Sequence, residues 1–257
     1  GAMQTYTVPA GVTSVTIEAY GAQGGASAYG FTGGLGAKMK GDISVTPGQT
    51  LKILVGQEGG YGTSDAGGGG GGSFVTDASN NPLVIAGGGS GGGGYPTASI
   101  GNPGLITTAG GNSYNYTGGS AGSGGNAGGG SGGGGGLIGN GVNAYTSGGS
   151  SFINGGAGSS ECSPGGYGGY GGGSGGEWCM TGGTGAGGGY SGGAGADGYP
   201  GGGGGSYNAG TNQNNTSGVQ TGNGLVIISY SQGGGCTGCT DPAALNYDSL
   251  ALYDDGS

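Results

Sequence analysis

The sequence predicts an all-β protein, an antiparallel β-sandwich with an inserted bundle of polyglycine helices. Segments that alternate apolar and polar residues open the chain, and the strand-like segment 223–230 closes it. Glycine dominates between them and supplies 85 of the 257 residues. No segment repeats its apolar residues with a helical period. The economical arrangement is one sandwich whose first and last strands meet, with the bundle inserted in a connection.

The first strands are predicted within residues 4–60. Val15, Ile17 and Ala19 alternate with polar residues and therefore belong to one face of a strand. Pro47 and Gly48 indicate a turn, because proline presets φ and glycine tolerates a positive φ. Another short strand is predicted at residues 82–86, and the last one at 223–230. Residues 1–3 are interpreted as an expression scar.

The predicted polyglycine bundle lies mainly within residues 118–205. Glycine loses much backbone freedom on ordering and buries no side chain, so a flexible linker is the alternative. An extended threefold helix rises about 3.1 Å per residue without internal hydrogen bonds, so buried copies must bond sideways to one another. Collagen is excluded, because its strict glycine period and high proline content are missing here.

Two features of the glycine region favour order over a linker. Tyr167 and Tyr170 are three residues apart, so on a threefold helix they would point to the same side. Cys162 and Cys179 bracket this segment together with Trp178. A disulfide between the two cysteines would close a loop and restrict the unfolded chain.

Composition excludes several classes of function. The chain has no histidine and only three basic residues, and its net charge is −9. This balance argues against nucleic acid or an anionic membrane as a partner. The absence of histidine rules out Ser–His–Asp and Cys–His sites. Glu161 and Glu177 could approach each other, but we expect them to cap loops or form an acidic rim rather than hydrolyse glycosides. No enzyme and no required cofactor are expected.

Tyrosine is the residue type that points to binding. The chain has 16 tyrosines and 3 phenylalanines, and recognition surfaces use tyrosine because its flat ring and hydroxyl cost little entropy to order. The alternative is that the tyrosines only border the bundle. The aromatic residues predicted to lie on a binding surface are Tyr167, Tyr170, Trp178, Tyr190 and Tyr199.

The tail, residues 232–257, differs in composition. It resembles short acidic, cysteine-flanked repeats of secreted marine bacterial proteins, and we expect a truncated repeat. Cys236 and Cys239 are predicted either to form a local disulfide or to have lost their partners, since no further zinc ligands accompany them. The acidic residues of the tail have two interpretations: they bind calcium through their oxygen atoms, or they form a solvated acidic turn. The candidate calcium ligands are Asp241, Asn246, Asp248, Asp254 and Asp255.

Residues 4–231 resemble a known family. The segment from Tyr6 to Gly25 and the closing motifs at 201–208 and 223–228 resemble the glycine-rich domain family, which includes the extracellular ligand-binding region of anaplastic lymphoma kinase and leukocyte tyrosine kinase. The resemblance implies a tumour-necrosis-factor-like sandwich that carries a polyglycine helix bundle. No ligand-contact residue of those receptors can be transferred to this sequence.

These observations lead to three hypotheses. The first is a non-catalytic extracellular recognition or adhesion module of a bacterial surface or secreted protein, which binds a protein or glycan on a cell surface without inserting into a membrane. Four cysteines and few charges fit an extracellular location. The second is a phage tail adhesin on a virion, because the tip adhesins of T-even-like phage tail fibres also carry polyglycine bundles. The third is an ice-binding protein or a structural spacer, since flat polyglycine bundles resemble springtail antifreeze proteins.

Overall fold

The computed structural model describes residues 1–63, 66–93, 99–162, 164–177, 179, 182–231, 236–247 and 251–254. Its strands are β1 (Gln4–Thr7), β2 (Ser14–Tyr20), β3 (Gly36–Ser44), β4 (Thr50–Leu54), β5 (Ser73–Asp77), β6 (Pro82–Ala86), β7 (Tyr207–Asn208), β8 (Thr216–Gln220), β9 (Leu225–Ser229), β10 (Cys236–Gly238) and β11 (Ala251–Asp254). Within these residues the one helical segment is a single 3-10 turn at Phe152–Asn154. The part of the chain described here contains no helix able to span a membrane.

The strands form two antiparallel sheets and one small parallel pair. The first sheet has the order β1-β4-β5-β6-β7, and the second has the order β8-β3-β2-β9. In the tail, β10 pairs with β11 in parallel. Strand β2 pairs with the closing strand β9, with Thr16 opposite Ser229 and Tyr20 opposite Leu225. The prediction of an all-β protein is therefore confirmed. The expectation that the first and last strands meet is wrong in its choice of strand, because β1 pairs with β4 in the other sheet and β2 is the partner of β9.

The two sheets share one apolar core and form a sandwich-like unit. Along β2, the alternation predicted from the sequence places Val15, Ile17 and Ala19 in the interior. They pack with Leu51 and Val84 of the other sheet. Burying each large aliphatic side chain stabilises the fold by about 1.5–3 kcal/mol. The core between the sheets therefore orients the strands from which the glycine segments emerge.

Two strands of the sheets had no clear pattern in the sequence. Residues 73–76 of β5 are all buried, so this strand lacks the apolar–polar alternation of a half-exposed one. Strand β8 reads Thr-Ser-Gly-Val-Gln and lies at the edge of its sheet beside β3. Its largely polar sequence carries no apolar period. Both strands are specified by their neighbours rather than by local sequence.

Several glycine-rich segments continue the strands away from the sandwich. Residues 21–25 follow β2, residues 56–60 follow β4, residues 87–93 follow β6, and residues 67–72 lead into β5. Most of their residues belong to neither a helix nor a strand, and every glycine of the 67–72 run is buried. Their backbone groups must therefore find partners in other segments.

The backbone hydrogen bonds of residues 67–72 repeat every three residues. The N–H groups of residues 67 and 70 donate to carbonyls in the segment 89–92, those of residues 68 and 71 to 57–60, and those of residues 69 and 72 to 171–174. The carbonyls of residues 67–71 accept from three other segments. The N–H groups that donate to these carbonyls belong to residues in the segments 22–25 and 185–188 and to residue 169. The run is thus bonded sideways on all sides.

The glycine network extends beyond the region that composition singled out. Its central run, residues 67–72, precedes the predicted bundle at 118–205, and only part of its neighbours come from that later region. The close approach requires glycine: a Cβ on Gly69 would lie 1.9 Å from the carbonyl oxygen of Ala186. A flexible linker would have no such packing.

A second apolar cluster joins the glycine region to the first sheet. Leu54, Phe74 and Ile85 come from the sheet, whereas Leu137 and Phe152 come from the long connection between β6 and β7. The rings of Phe74 and Phe152 stack with their centroids 5.1 Å apart. This cluster, here called the junction cluster, anchors the long connection on the sandwich.

The sandwich is expected to lose stability in acid. The ammonium group of Lys40 lies 2.9 Å from the Glu18 carboxylate, and this hydrogen bond lowers the pKa of Glu18 although burial opposes the shift. Hydrogen bonds from Thr16 and Asn212 lower the pKa of Asp42. A lowered folded-state pKa adds stability above the unfolded value of about 4, and this contribution disappears as the pH falls through the folded value. Urea denaturation at pH 7, 4 and 3 should therefore give a falling free energy of unfolding.

Glu18→Gln provides the matched variant for this acid effect. At pH 7 it should lose about 1 kcal/mol or less, because the ion pair is partly solvated. Its free energy of unfolding should then decline less than that of the unaltered chain between pH 5 and pH 3. Equal declines in the two proteins would contradict a role for the Glu18 carboxylate.

Candidate recognition surface

The glycine segments carry a set of loops away from the strands of the sandwich. Gly25 N–H donates to the Gly68 carbonyl, and Gly68 N–H donates to the Gly60 carbonyl. The equivalent bonds of Gly71, three residues later in the run 67–72, lie nearer to β5. Residues 25, 60 and 68 are therefore at one level, away from the strands. The loops that follow residues 25 and 60 extend beyond that level.

Three strongly exposed tyrosines occupy these loops. The exposed fractions are 60% for Tyr29, 56% for Tyr61 and 61% for Tyr167. We call this set, on its three loops, the tyrosine surface. The loops adjoin one another: Gly62 N–H donates to the Ala26 carbonyl at 2.9 Å. On the other side, Thr63 N–H donates to the Pro164 carbonyl at 3.1 Å.

The backbone beneath the tyrosine surface is tied to buried segments. Gly60 N–H donates to the Tyr167 carbonyl at 2.7 Å, and Gly68 N–H donates to the Gly60 carbonyl at 3.0 Å. A Cβ on Gly68 would lie 1.8 Å from the Tyr167 carbonyl oxygen, so only glycine fits beneath this tyrosine. Loops held in this way lose little additional freedom when a partner binds.

A disulfide closes the loop that carries Tyr167. Cys162 and Cys179 are bonded, with their Cα atoms 6.0 Å apart, which confirms the pairing predicted from the sequence. Gly165 N–H donates to the Cys162 carbonyl at 3.0 Å, and this bond tightens the turn before Tyr167. Trp178, predicted to contribute to the binding surface, lies outside the described residues.

Tyr170 and Tyr190, which the sequence predicted for the binding surface, are only partly exposed. Both pack against the junction cluster, and Tyr190 also contacts the ring of Tyr207, with centroids 4.9 Å apart. Burial raises the pKa of Tyr170. Tyr167 and Tyr170 accept bonds from the same segment, as threefold spacing predicts, but Tyr170 lies one repeat closer to the sheet. The three-residue spacing predicts that the two tyrosines share a side of the segment, but it does not predict how close each one lies to the sheet.

Tyr199 belongs to a separate aromatic pair. Its ring stacks on Tyr114 with centroids 4.5 Å apart and planes 4° from parallel. Sequence reasoning missed Tyr29 and Tyr61 on the tyrosine surface. Both precede a glycine, but so do Tyr20 and Tyr170, which are only partly exposed.

The tyrosine surface carries no basic side chain. The three lysines of the chain all lie on strands, two in β3 and one in β4. Lys38 and Lys40 are also engaged by Glu18, at 3.4 Å and 2.9 Å. Glu177 is fully buried rather than part of an exposed acidic rim. The tyrosine surface is therefore suited to a ligand that is recognised by aromatic rings, hydroxyl groups and backbone groups rather than by positive charge.

The tail contributes no assembled metal site among the described residues. The thiol of Cys239 is free and buried, and the side chain of Cys236 lies outside the described part of the chain. The Asp241 carboxylate accepts a hydrogen bond from Ala243 N–H at 2.9 Å in the turn at residues 241–244, whereas Asn246 lies in the turn that follows. Asp248 and Asp255 lie outside the described residues, and Asp254 is described by its backbone in β11 only. Calcium binding in the tail stays a prediction.

Comparison with protein-family models and with curated proteins finds no match to this chain. The function must therefore be inferred from the surface itself. The class that the described residues define is an all-β, disulfide-bonded protein whose glycine-rich segments carry aromatic loops at one end.

Proposed function

We propose that this chain is a non-catalytic extracellular recognition or adhesion module. The tyrosine surface would bind a protein or glycan on a cell surface. One observation carries the proposal: Tyr29, Tyr61 and Tyr167 are all more than half exposed on adjoining loops that are bonded to a buried backbone network. Large aromatic rings are normally withdrawn from water, so three exposed together indicate an interaction site.

We further propose that the glycine segments are polyglycine II helices packed side by side. The support is the three-residue repeat of hydrogen bonds from residues 67–72, since a threefold helix directs every third N–H group to the same neighbour. The pairing of β2 with β9 and the shared core of the two sheets are compatible with a tumour-necrosis-factor-like sandwich. Both features favour membership of the glycine-rich domain family.

The chemistry of the surface favours a neutral, hydroxyl-rich ligand. Tyrosine presents a flat apolar face to a sugar ring or side chain, and its hydroxyl donates or accepts a hydrogen bond. The lack of lysine at this end makes an anionic polymer a poor fit. No histidine is present to act as a general base near neutral pH. Recognition without chemistry is therefore the better proposal.

The disulfide supports an extracellular location for this module. Cys162–Cys179 would persist in an oxidising compartment, where such bonds form and remain stable. It fixes the loop next to Tyr167, so the proposed binding surface depends on that compartment. A bacterial surface or secreted protein is the first choice of source, and a phage tail adhesin would use the same surface.

Binding can be tested with a glycan array of bacterial polysaccharides, followed by whole bacterial cells. The variants are Tyr29→Ala, Tyr61→Ala, Tyr167→Ala and their triple combination. We expect the triple variant to bind at least about tenfold more weakly, because a few aromatic residues carry most of the energy of a recognition surface. Tyr230→Ala is the matched control: Tyr230 is 39% exposed and follows β9 at the opposite end of the sandwich.

Three outcomes would contradict the proposal. The triple variant could bind as tightly as the unaltered chain, the Tyr230→Ala control could lose as much affinity, or the unaltered chain could bind no array component and no cell. Binding confined to cells that serve as phage hosts would favour the tail adhesin. Thermal hysteresis without any cell or glycan binding would favour the ice-binding alternative.

A further inference from the structure

A cluster of three potential metal ligands lies beside the tyrosine surface. The sulfur atoms of Cys162 and Cys179 and a carboxylate oxygen of Glu177 all lie within 4.8 Å of one another. In the sequence Glu161 precedes Cys162 and Glu177 precedes Cys179. The structure brings the Glu177 carboxylate next to both sulfurs.

Local backbone pairing brings these three groups together. Cys162 and Glu177 form a parallel β-bridge, and Cys162 N–H donates to the Gly176 carbonyl at 3.3 Å. Glu177 N–H donates in turn to the Gly183 carbonyl at 2.8 Å. The backbone that carries Cys162 and Glu177 is therefore paired by main-chain contacts, which do not require the sulfur–sulfur bond itself.

The three groups differ in their access to solvent. Glu177 is fully buried, whereas Cys179 is exposed and Cys162 is half-buried. The exposure of Cys179 would give a reductant access to the bond. The cluster thus combines an accessible disulfide with an interior oxygen ligand.

We propose that reduction of the Cys162–Cys179 disulfide converts this cluster into a binding site for zinc or a cation of similar softness. Two thiolates and one carboxylate are ligands that zinc accepts, and a water molecule would complete a tetrahedral set. Tetrahedral zinc holds its ligand atoms about 3.5 Å apart, so the observed cluster needs only a small contraction around the carboxylate and a separation of the two sulfurs.

The conversion balances with a dithiol as the reductant. Thiol–disulfide exchange transfers two electrons and two protons to the cysteine pair, which becomes two thiols, while the dithiol becomes a cyclic disulfide. Zinc then displaces the two thiol protons into solvent and binds the two sulfurs and the Glu177 oxygen. The oxidised chain lacks thiolates at this position and is not expected to bind zinc there.

This inference does not depend on the proposed recognition function. Zinc binding is measured as the amount of metal bound per chain. The zinc proposal can therefore fail while the tyrosine variants behave as expected. The two are connected only by position, because Gly165 donates to Cys162 in the turn that precedes Tyr167.

The test uses the full chain with Cys236→Ser and Cys239→Ser, so that the tail contributes no thiols. Oxidised protein and protein reduced with dithiothreitol, then desalted without oxygen, are dialysed against zinc and analysed by mass spectrometry of the metal. We expect about one zinc ion per reduced chain and none per oxidised chain. Reduced Glu177→Gln should bind at least about tenfold more weakly, and Cys162→Ser should lose the site.

A second measurement covers the case in which Glu177→Gln fails to fold. The 113Cd NMR shift of the reduced chain loaded with cadmium distinguishes a set of two sulfurs with oxygen from sulfur-only coordination. The proposal is overturned if reduced protein binds no zinc, if it unfolds on reduction, or if the doubly substituted Cys162→Ser, Cys179→Ser chain binds equally well. It is also overturned if the cadmium is bound by sulfur alone.

Discussion

Gly69→Ala is expected to destabilise the folded chain by about 3 kcal/mol or more, or to prevent folding. The added Cβ would lie 1.9 Å from the carbonyl oxygen of Ala186. Relief of this contact must move a backbone segment, because the obstacle is a main-chain atom rather than a flexible side chain. Gly69 N–H also donates to the Ser174 carbonyl at 2.8 Å, so movement breaks buried hydrogen bonds. Overpacking and bond loss therefore act together.

Gly48→Ala is the control for this substitution. Nothing lies within 4 Å of a Cβ at this position, but its φ of +80° is a left-handed conformation. The expected cost is therefore only about 1 kcal/mol of backbone strain. Urea denaturation of both variants gives the comparison. Equal and small losses would contradict tight packing of residues 67–72 and would favour the linker interpretation.

Phe152→Ala is expected to cost about 3–5 kcal/mol, the range for removing a buried aromatic side chain. Phe152 is fully buried, and its ring stacks on Phe74 at 5.1 Å. It is the fully buried aromatic residue that the long connection contributes to the junction cluster, whereas Tyr170 and Tyr190 of the same connection are only partly buried against it. Its removal should therefore also loosen the glycine segments, with faster amide exchange in residues 133–137.

Ile153→Ala tests whether burial rather than position explains the loss. Ile153 is the next residue of the same 3-10 turn but is 47% exposed, so its truncation should cost well under 1 kcal/mol. A double-mutant cycle of Phe152→Ala with Phe74→Ala should yield a coupling energy of about 0.5–1.5 kcal/mol for the stacked rings. Additive losses, or equal losses for Phe152 and Ile153, would contradict the junction cluster as the anchor.

Local sequence patterns were sufficient to predict features that depend on residues close together in the chain. The alternation of Val15, Ile17 and Ala19 specified the buried face of β2, because successive side chains of a strand point to opposite sides. The apolar segment near the end of the chain contains β9. The Cys162–Cys179 bond was predictable from two cysteines that bracket one short segment.

The sequence by itself therefore determined the all-β class, an early strand, the closing strand and the disulfide. Only the tertiary structure decided which tyrosines are exposed and that Glu177 lies beside the disulfide. It also decided that residues 67–72 occupy the centre of the glycine network. The physical reason is that glycine has no side chain to encode its neighbours. Depth and pairing are set instead by hydrogen bonds between segments far apart in sequence, so identical local patterns reach different environments.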